Sequence, residues 1–269
     1  MKNTIRFSVL ASGSGGNACY VETENTKVIV DAGLSCSEIE RRLSLVGIQP
    51  ESLDALIITH EHGDHIRGAG PLSRRYDLPV YVNRKTLIKG LKTLGSLARP
   101  VIFQTGQTLV IRDLGIETFT KCHDASDPFG LVFTSLGGSS TTNGTRIGMV
   151  TDLGRSTRLV EDRLKGCQAL IVEFNYDQDM LDNGPYPLDL QRRIKGQDGH
   201  LSNKQAGDLL RAVFHDDLRI VVLAHLSETN NEPEKARQAA VKALRKCGLD
   251  NTRLLISKQD EPGPMVELC

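Results

Sequence analysis

The apolar run Ala55–Thr59 leads without a break into Thr59-His60-Glu61-His62-Gly63-Asp64-His65. A run this uniformly apolar reads as a strand covered on both faces. The histidines therefore sit at a strand's C-terminal end, where loops carry functional groups. Crowding three imidazoles and a carboxylate into positions 60–65 is unfavourable unless a cation holds them. Imidazole with carboxylate is the ligand set of hydrolytic zinc, and it also suits manganese or iron. Such a turn can direct His60 and His62 to one ion, and Asp64 and His65 to its neighbour. A lone histidine would read as structural; the H-x-H-x-D-H pattern requires a fold that ends a buried strand in a metal loop.

Strand-like runs recur on either side of that loop, at Ile5–Leu10, Cys19–Glu22, Lys27–Val30, Val80–Val82, Thr108–Ile111 and Glu117–Thr120. They continue at Leu131–Ser135, Arg146–Thr151, Ala169–Val172, Ile220–Ala224 and Leu254–Ser257. Asn143-Gly144, between two of them, is a strong hairpin signal. Three helices are well marked. Ser35 with Glu38 and Ser202 with Gln205 each have capping-box spacing ahead of an apolar face. Asn231, Pro233 and Glu234 open a third, running to about Lys246. Mixed strands with helices in both halves suit two sheets packed together with helices outside, and residues 1–269 read as one domain.

Hydrophobic residues at 39% and charged residues at 25% exclude a disordered or fibrous chain. Lys+Arg and Asp+Glu both total 33, so bulk charge gives no argument for a polyanionic partner. The six cysteines include no C-x-x-C pair, which points to a reducing compartment rather than a disulfide framework. The N-terminal apolar run is too short for a signal peptide, and no stretch approaches the roughly 20 apolar residues of a membrane span. The expected location is the cytoplasm.

Three further ligand-type residues follow apolar strands. His123 comes just past Glu117–Thr120, Asp152 follows Arg146–Thr151, and His225 follows Ile220–Ala224. H-x-H-x-D-H with a later His, Asp and His in that order resembles the five-motif signature of the metallo-β-lactamase superfamily. The resemblance spans Ile5 to Leu226. It implies an α/β fold, a four-layer αββα sandwich of two mixed sheets packed face to face, with the site at one sheet edge. It implies two divalent ions, Zn²⁺ or Mn²⁺, with His60, His62 and His123 on one and Asp64, His65 and His225 on the other. Asp152 would bridge them, and Asp64 would belong to the catalytic group. A pair of such ions activates water for attack on phosphorus or a carbonyl carbon. Asp31, in Val30-Asp31-Ala32-Gly33, is the expected acceptor behind a ligand imidazole.

Fold alone does not name a substrate. Ser12-Gly13-Ser14-Gly15-Gly16-Asn17, Glu173-Phe174-Asn175-Tyr176-Asp177, Gly199-His200-Leu201-Ser202-Asn203 and Leu223-Ala224-His225-Leu226-Ser227, with Gly184-Pro185-Tyr186-Pro187 between, narrow the choice. Together they resemble the YycJ-like branch, bacterial relatives of ribonuclease Z linked to 5′-to-3′ exonuclease activity on DNA. A His is common in that branch where Tyr176 stands, and this departure leaves any metal or catalytic role at position 176 open. Backbone N–H groups of a Gly-Ser turn can converge on an anion, making Ser12, Ser14 and Asn17 candidate phosphate contacts; a tight hairpin explains the same turn. His200 precedes a helix N-terminus, where anions are welcome. By analogy with ribonuclease Z it is the expected general acid or oxyanion-stabilising residue.

Basic residues at Arg67, Arg74-Arg75, Arg84-Lys85, Arg155, Arg158 and Arg192-Arg193 offer contacts to a strand backbone, although solvated faces explain most such clusters. The expected partner is a single-stranded DNA or RNA substrate, with no membrane. The stretch between Asp152 and His225 is too short for the inserted cap domain of the processive RNA nucleases of that superfamily. Competing readings are a thioester hydrolase of the glyoxalase II type, which has no need of the His200 segment, and a small cyclic phosphodiesterase. A metal-stabilised regulatory module would be expected to have lost ligands.

Overall fold

The computed structural model of the protein describes residues 4–137 and 144–269. In chain order, β1 (Ile5–Ala11), β2 (Ala18–Glu22), β3 (Lys27–Val30), β4 (Ala55–Ile57), β5 (Pro79–Asn83) and β6 (Arg99–Phe103) build the first sheet. The second contains β7 (Thr108–Ile111), β8 (Leu114–Thr120), β9 (Phe129–Ser135), β10 (Arg146–Val150), β11 (Ala169–Glu173), β12 (Ile220–Ala224) and β13 (Arg253–Ile256). The chain returns to the first sheet with β14 (Val266–Leu268). Each sheet has seven strands, ordered β14-β1-β2-β3-β4-β5-β6 and β13-β12-β11-β10-β9-β8-β7. Both are mixed: hairpin pairing runs from β1 to β3 and from β7 to β10, and parallel pairing takes over beyond.

The helices are α1 (Cys36–Leu45), α2 (Gly63–Ile66), α3 (Ala69–Arg75), α4 (Arg84–Leu94), α5 (Arg158–Leu164), α6 (Gln178–Asn183), α7 (Leu188–Lys195), α8 (Asn203–Val213) and α9 (Pro233–Arg245). Strand alternation sorts the core into three layers. Phe7, Val28, Ile57, Leu131, Ile171 and Val222 meet between the sheets. Leu10, Ile29 and Leu56 face α1 and α3 on one outer side; Leu170, Val221 and Leu223 face α5, α8 and α9 on the other. Apolar residues on both faces explain why the parallel strands read as unbroken apolar runs. This is the expected four-layer αββα sandwich.

Several elements differ from the sequence expectation. Strand β6 carries Pro100 and is largely exposed, because it is the sheet's edge, where a missing N–H is tolerated. Helices α2, α3 and α7 are too short to show a helical period, and α4 keeps Ile88 and Leu91 exposed, which blurs its apolar face. Ser35 caps α1 through the Glu38 N–H, but the Glu38 carboxylate bonds Arg41 and Arg42 rather than closing a box. Of the two expected boxes, the one at Ser202 and Gln205 forms in full. Strands β9 and β10 pair antiparallel as expected; Asn143 lies outside the described residues. No helix among the described residues is long and apolar enough to cross a membrane.

Candidate metal centre

The register of the parallel strands brings their C-terminal ends level: Val30 pairs with Ile57, Val150 with Val172, and Glu173 with Ala224. The residues that follow, Asp31, Asp152 and His225, all adopt left-handed backbone, with φ of 58°, 52° and 55°. Such angles are uncommon for non-glycine residues and cluster where function requires a fixed side-chain direction. Between the sheets these turns meet the loop after β4. Asp31 accepts from the Thr59 N–H, the Thr59 hydroxyl and His65 Nδ1, each at 2.8 Å. His62 caps α2, so Asp64 and His65 occupy its single turn. Gly33 makes room for this: a Cβ there would lie 1.6 Å from the Asp64 carbonyl oxygen.

Two groups of donor atoms result. His60 Nε2 lies 3.1 Å from His62 Nδ1, which lies 3.2 Å from His123 Nε2. His65 Nε2 lies 3.6 Å from Asp64 Oδ2 and 3.3 Å from Asp152 Oδ2, and His225 Nε2 lies 3.4 Å from Asp152 Oδ1. Asp152 also lies within reach of His60 together with His65, so it stands between the groups. These spacings match the edge, roughly 3.3 Å, of a tetrahedron with bonds of about 2.0–2.1 Å. Asp152 Oδ2 and His225 Nε2 are buried and accept or donate no hydrogen bond. Buried polar atoms left without a partner inside a cluster of such donors fit a divalent cation.

The electrostatics divide the cluster. Burial opposes the charged form of His65, but the Asp152 and Asp31 carboxylates outweigh it and raise its pKa well above the usual imidazole range. Burial would raise Asp152, yet His225, His65 and Lys121 hold it well below the usual carboxylate range. His60 is pushed well down by burial and by its neighbour His65, and His123 falls to about 4, chiefly through burial. His60 and His123, held neutral beside the ionised Asp152, already have the protonation states that ligation requires, whereas His65 would have to give up a proton to a cation.

His200, an expected catalytic residue, faces the same cavity, and Nδ1 donates to Glu173 Oε2 at 3.0 Å. Burial lowers the His200 pKa, but the Glu173 carboxylate more than offsets this, and the ring is pushed up to about 9. Glu173 was not among the expected site residues. Its Oε2 accepts from the Asp152 N–H at 2.8 Å and from His225 Nδ1 at 3.1 Å, and its Oε1 accepts from the Leu201 N–H at 2.7 Å. The available signal was a charged residue closing the apolar run Ala169–Val172. Lys121 was missed as well; it is buried, and Nζ donates to the Thr151 carbonyl at 2.6 Å beside Asp152.

Of the expected phosphate contacts, only Ser14 lines the cavity. Ser12 Oγ accepts from the His225 N–H at 2.8 Å, and Asn17 Nδ2 lies 3.2 Å from Asp64 Oδ2 and 3.0 Å from His65 Nε2. Both point inward, because the Gly-Ser turn packs against the ligand loops and its side chains supply their hydrogen bonds. The turn is also the expected hairpin, joining β1 to β2. Tyr176 is buried away from the cavity lining, in a bridge to Ser202. Of the basic residues, Arg193 lines the cavity, whereas Arg75 pairs with Glu40 and Arg158 with Asp162.

Residues 11–225 match the family model for the Metallo-beta-lactamase superfamily. Exodeoxyribonuclease YycJ of Bacillus anthracis is 36% identical over 246 residues, covering 91% of this chain and 90% of that protein. Exodeoxyribonuclease WalJ of Streptococcus pneumoniae is 34% identical over 274 residues, 98% of each chain. Among solved structures, the metallo-beta-lactamase fold protein YhfI from Bacillus subtilis superposes with a TM-score of 0.74 at 18% identity, over 99% of this chain and 100% of that one.

Proposed function

The chain belongs to the metallo-beta-lactamase superfamily and, within it, to the family of the YycJ and WalJ proteins; from that premise we propose that it is a metal-dependent phosphodiesterase that shortens single-stranded DNA or RNA from the 5′ end. His60, His62 and His123 would hold one divalent ion, Asp64, His65 and His225 a second, and Asp152 would touch both. The donor set suits Zn²⁺ or Mn²⁺. Divalent ions there supply water activation and charge neutralisation at phosphorus. Asp31 fixes the His65 ring, and Glu173 fixes both His200 and His225. The free thiols of all the cysteines fit a cytoplasmic setting.

The observation that carries this reading is the His200–Glu173 pair opening onto the cavity of the ligand cluster. With Nδ1 committed to Glu173, Nε2 of His200 is left to give a proton to a leaving oxygen. A phosphodiester needs that proton, because an alkoxide leaves poorly. A thioester does not, since a thiol ionises near pH 8.5, so the glyoxalase II reading leaves the pair without a task. The test is a time course on 5′- and 3′-labelled single strands with the metal-loaded protein, beside a thioester substrate. Mononucleotides released progressively from the 5′ end are expected, with elemental analysis showing close to two ions per chain. Thioester turnover without strand cleavage would refute the proposal.

A further inference from the structure

The cavity, about 400 Å³, falls in the size range of small-molecule sites, and its two walls differ in chemistry. One carries His62, Asp64, His123, Asp152, His200 and His225; the other carries Tyr186, Leu190, Arg193 and Ile194. On α7, Leu190 and Ile194 stand four residues apart and share a helical face, and Tyr186, just before the helix, lines the same cavity. All three are half-buried, and none belongs to the apolar cores between or outside the sheets. Their apolar surface is therefore directed at the cavity rather than spent on packing the fold.

This wall is held in place against the ligand loops. Arg193 donates through Nε to Asp124 Oδ2 at 2.7 Å, and the other Asp124 oxygen lies 3.5 Å from His123 Nε2. The His200 N–H bonds the Ile194 carbonyl at 2.9 Å, and Gln191 Nε2 bonds the Tyr186 carbonyl at 3.0 Å. Tyr186 is the one Phe, Tyr or Trp among the residues lining the cavity.

Resting on the phosphodiesterase reading, we propose that the α7 wall seats the nucleobase of the strand's terminal nucleotide, with Tyr186 stacking on its face. The phosphate end of a nucleotide is drawn to the ligand wall and to Arg193, which leaves the base against Tyr186, Leu190 and Ile194. Such a seat offers an aromatic face and aliphatic side chains, and every base has a π-face, so it accepts any terminal base without reading its hydrogen-bonding edge. It makes the site one for a whole terminal nucleotide rather than for a phosphate alone.

The test compares manganese-loaded wild-type, Tyr186→Ala and Tyr186→Phe proteins by calorimetric titration with deoxyadenosine 5′-monophosphate and with deoxyribose 5-phosphate. The wild type is expected to bind the nucleotide more tightly than the sugar phosphate. Tyr186→Ala should weaken nucleotide binding roughly five- to 150-fold, the equivalent of about 1–3 kcal/mol of stacking, and leave sugar-phosphate binding unchanged. Tyr186→Phe should behave as wild type. Equal affinity of the wild type for the two ligands, no binding of either, or an equal loss on both in Tyr186→Ala overturns the seat. Intact end-labelled strands after incubation with the wild type refute the exonuclease reading separately, whichever way the two ligands rank.

Discussion

Glu173 is fully buried, yet its pKa lies down at about 2: burial raises it, and the His200 and His225 rings beside it prevail. A carboxylate kept ionised in the interior is stable only while its hydrogen-bond donors stay in place. Its two oxygens fix the turn at Asp152, the His225 ring and the His200 ring at once, so it positions groups rather than touching substrate. Glu173→Gln keeps the shape but must turn an amide N–H toward one of those donors. We expect kcat to fall about 10–100-fold, with weaker metal retention, as for other carboxylates behind ligand imidazoles; unchanged kcat and metal content would show that the rings need no such support. His200→Ala should differ in kind. Elemental analysis should find its ions retained while kcat drops roughly 10²–10⁴-fold, and loss of metal instead would make His200 a ligand.

Among the elements, α1 is anchored by Arg42 as well as by the buried apolar side chains Ile39 and Leu43. Its Nη1 donates to the Leu10 carbonyl at 2.9 Å and the Gln259 carbonyl at 2.7 Å, and its Nε to Glu38 at 2.7 Å. One side chain thus ties α1 to the end of β1 and to the segment after β13, next to the Gly-Ser turn that supports the ligand loops. Gln259 in turn accepts from the Gly15 N–H. Arg42→Ala strands two carbonyls, and a buried acceptor left unpaired costs about 1–3 kcal/mol. For a chain of this size that corresponds to a Tm lowered by roughly 2–10 °C in a thermal melt. A shift of under a degree would mean that water replaces the guanidinium without cost.

At the scale of the whole molecule, each sheet supplies part of the centre. The loops after β3 and β4 bring Asp31, His60, His62, Asp64 and His65; the ends of β8, β10, β11 and β12 bring His123, Asp152, Glu173 and His225. Ions held there would link the two sheets and stabilise the native state by mass action, about 2.7 kcal/mol per site at a hundredfold excess over Kd. Treatment with a strong chelator should therefore lower Tm, and Zn²⁺ or Mn²⁺ should restore it, whereas Mg²⁺, which avoids imidazole, should not. A melt that is insensitive to chelation of a protein shown to be metal-free would contradict this coupling.

Residue type and local periodicity carried two packed sheets with helices outside, most strand positions and the crowded motif at positions 60–65, because each is expressed within a few residues of chain, and the resemblance those motifs carry implied the four-layer class. His123, Asp152 and His225 were legible for the same reason, as polar side chains closing apolar runs. Glu173 closes such a run too, but its partners Asp152 and His225 lie 21 and 52 positions away, and no local pattern pairs them. Nor does one show that Ser12 and Asn17 turn inward to brace the ligand loops, since that depends on how closely the first turn packs against α2. The left-handed turns at Asp31, Asp152 and His225, and the cavity-facing row Tyr186, Leu190 and Ile194, were likewise decided by tertiary structure. A side chain's direction becomes defined only once two distant strand ends are held level and a short helix is fixed opposite them.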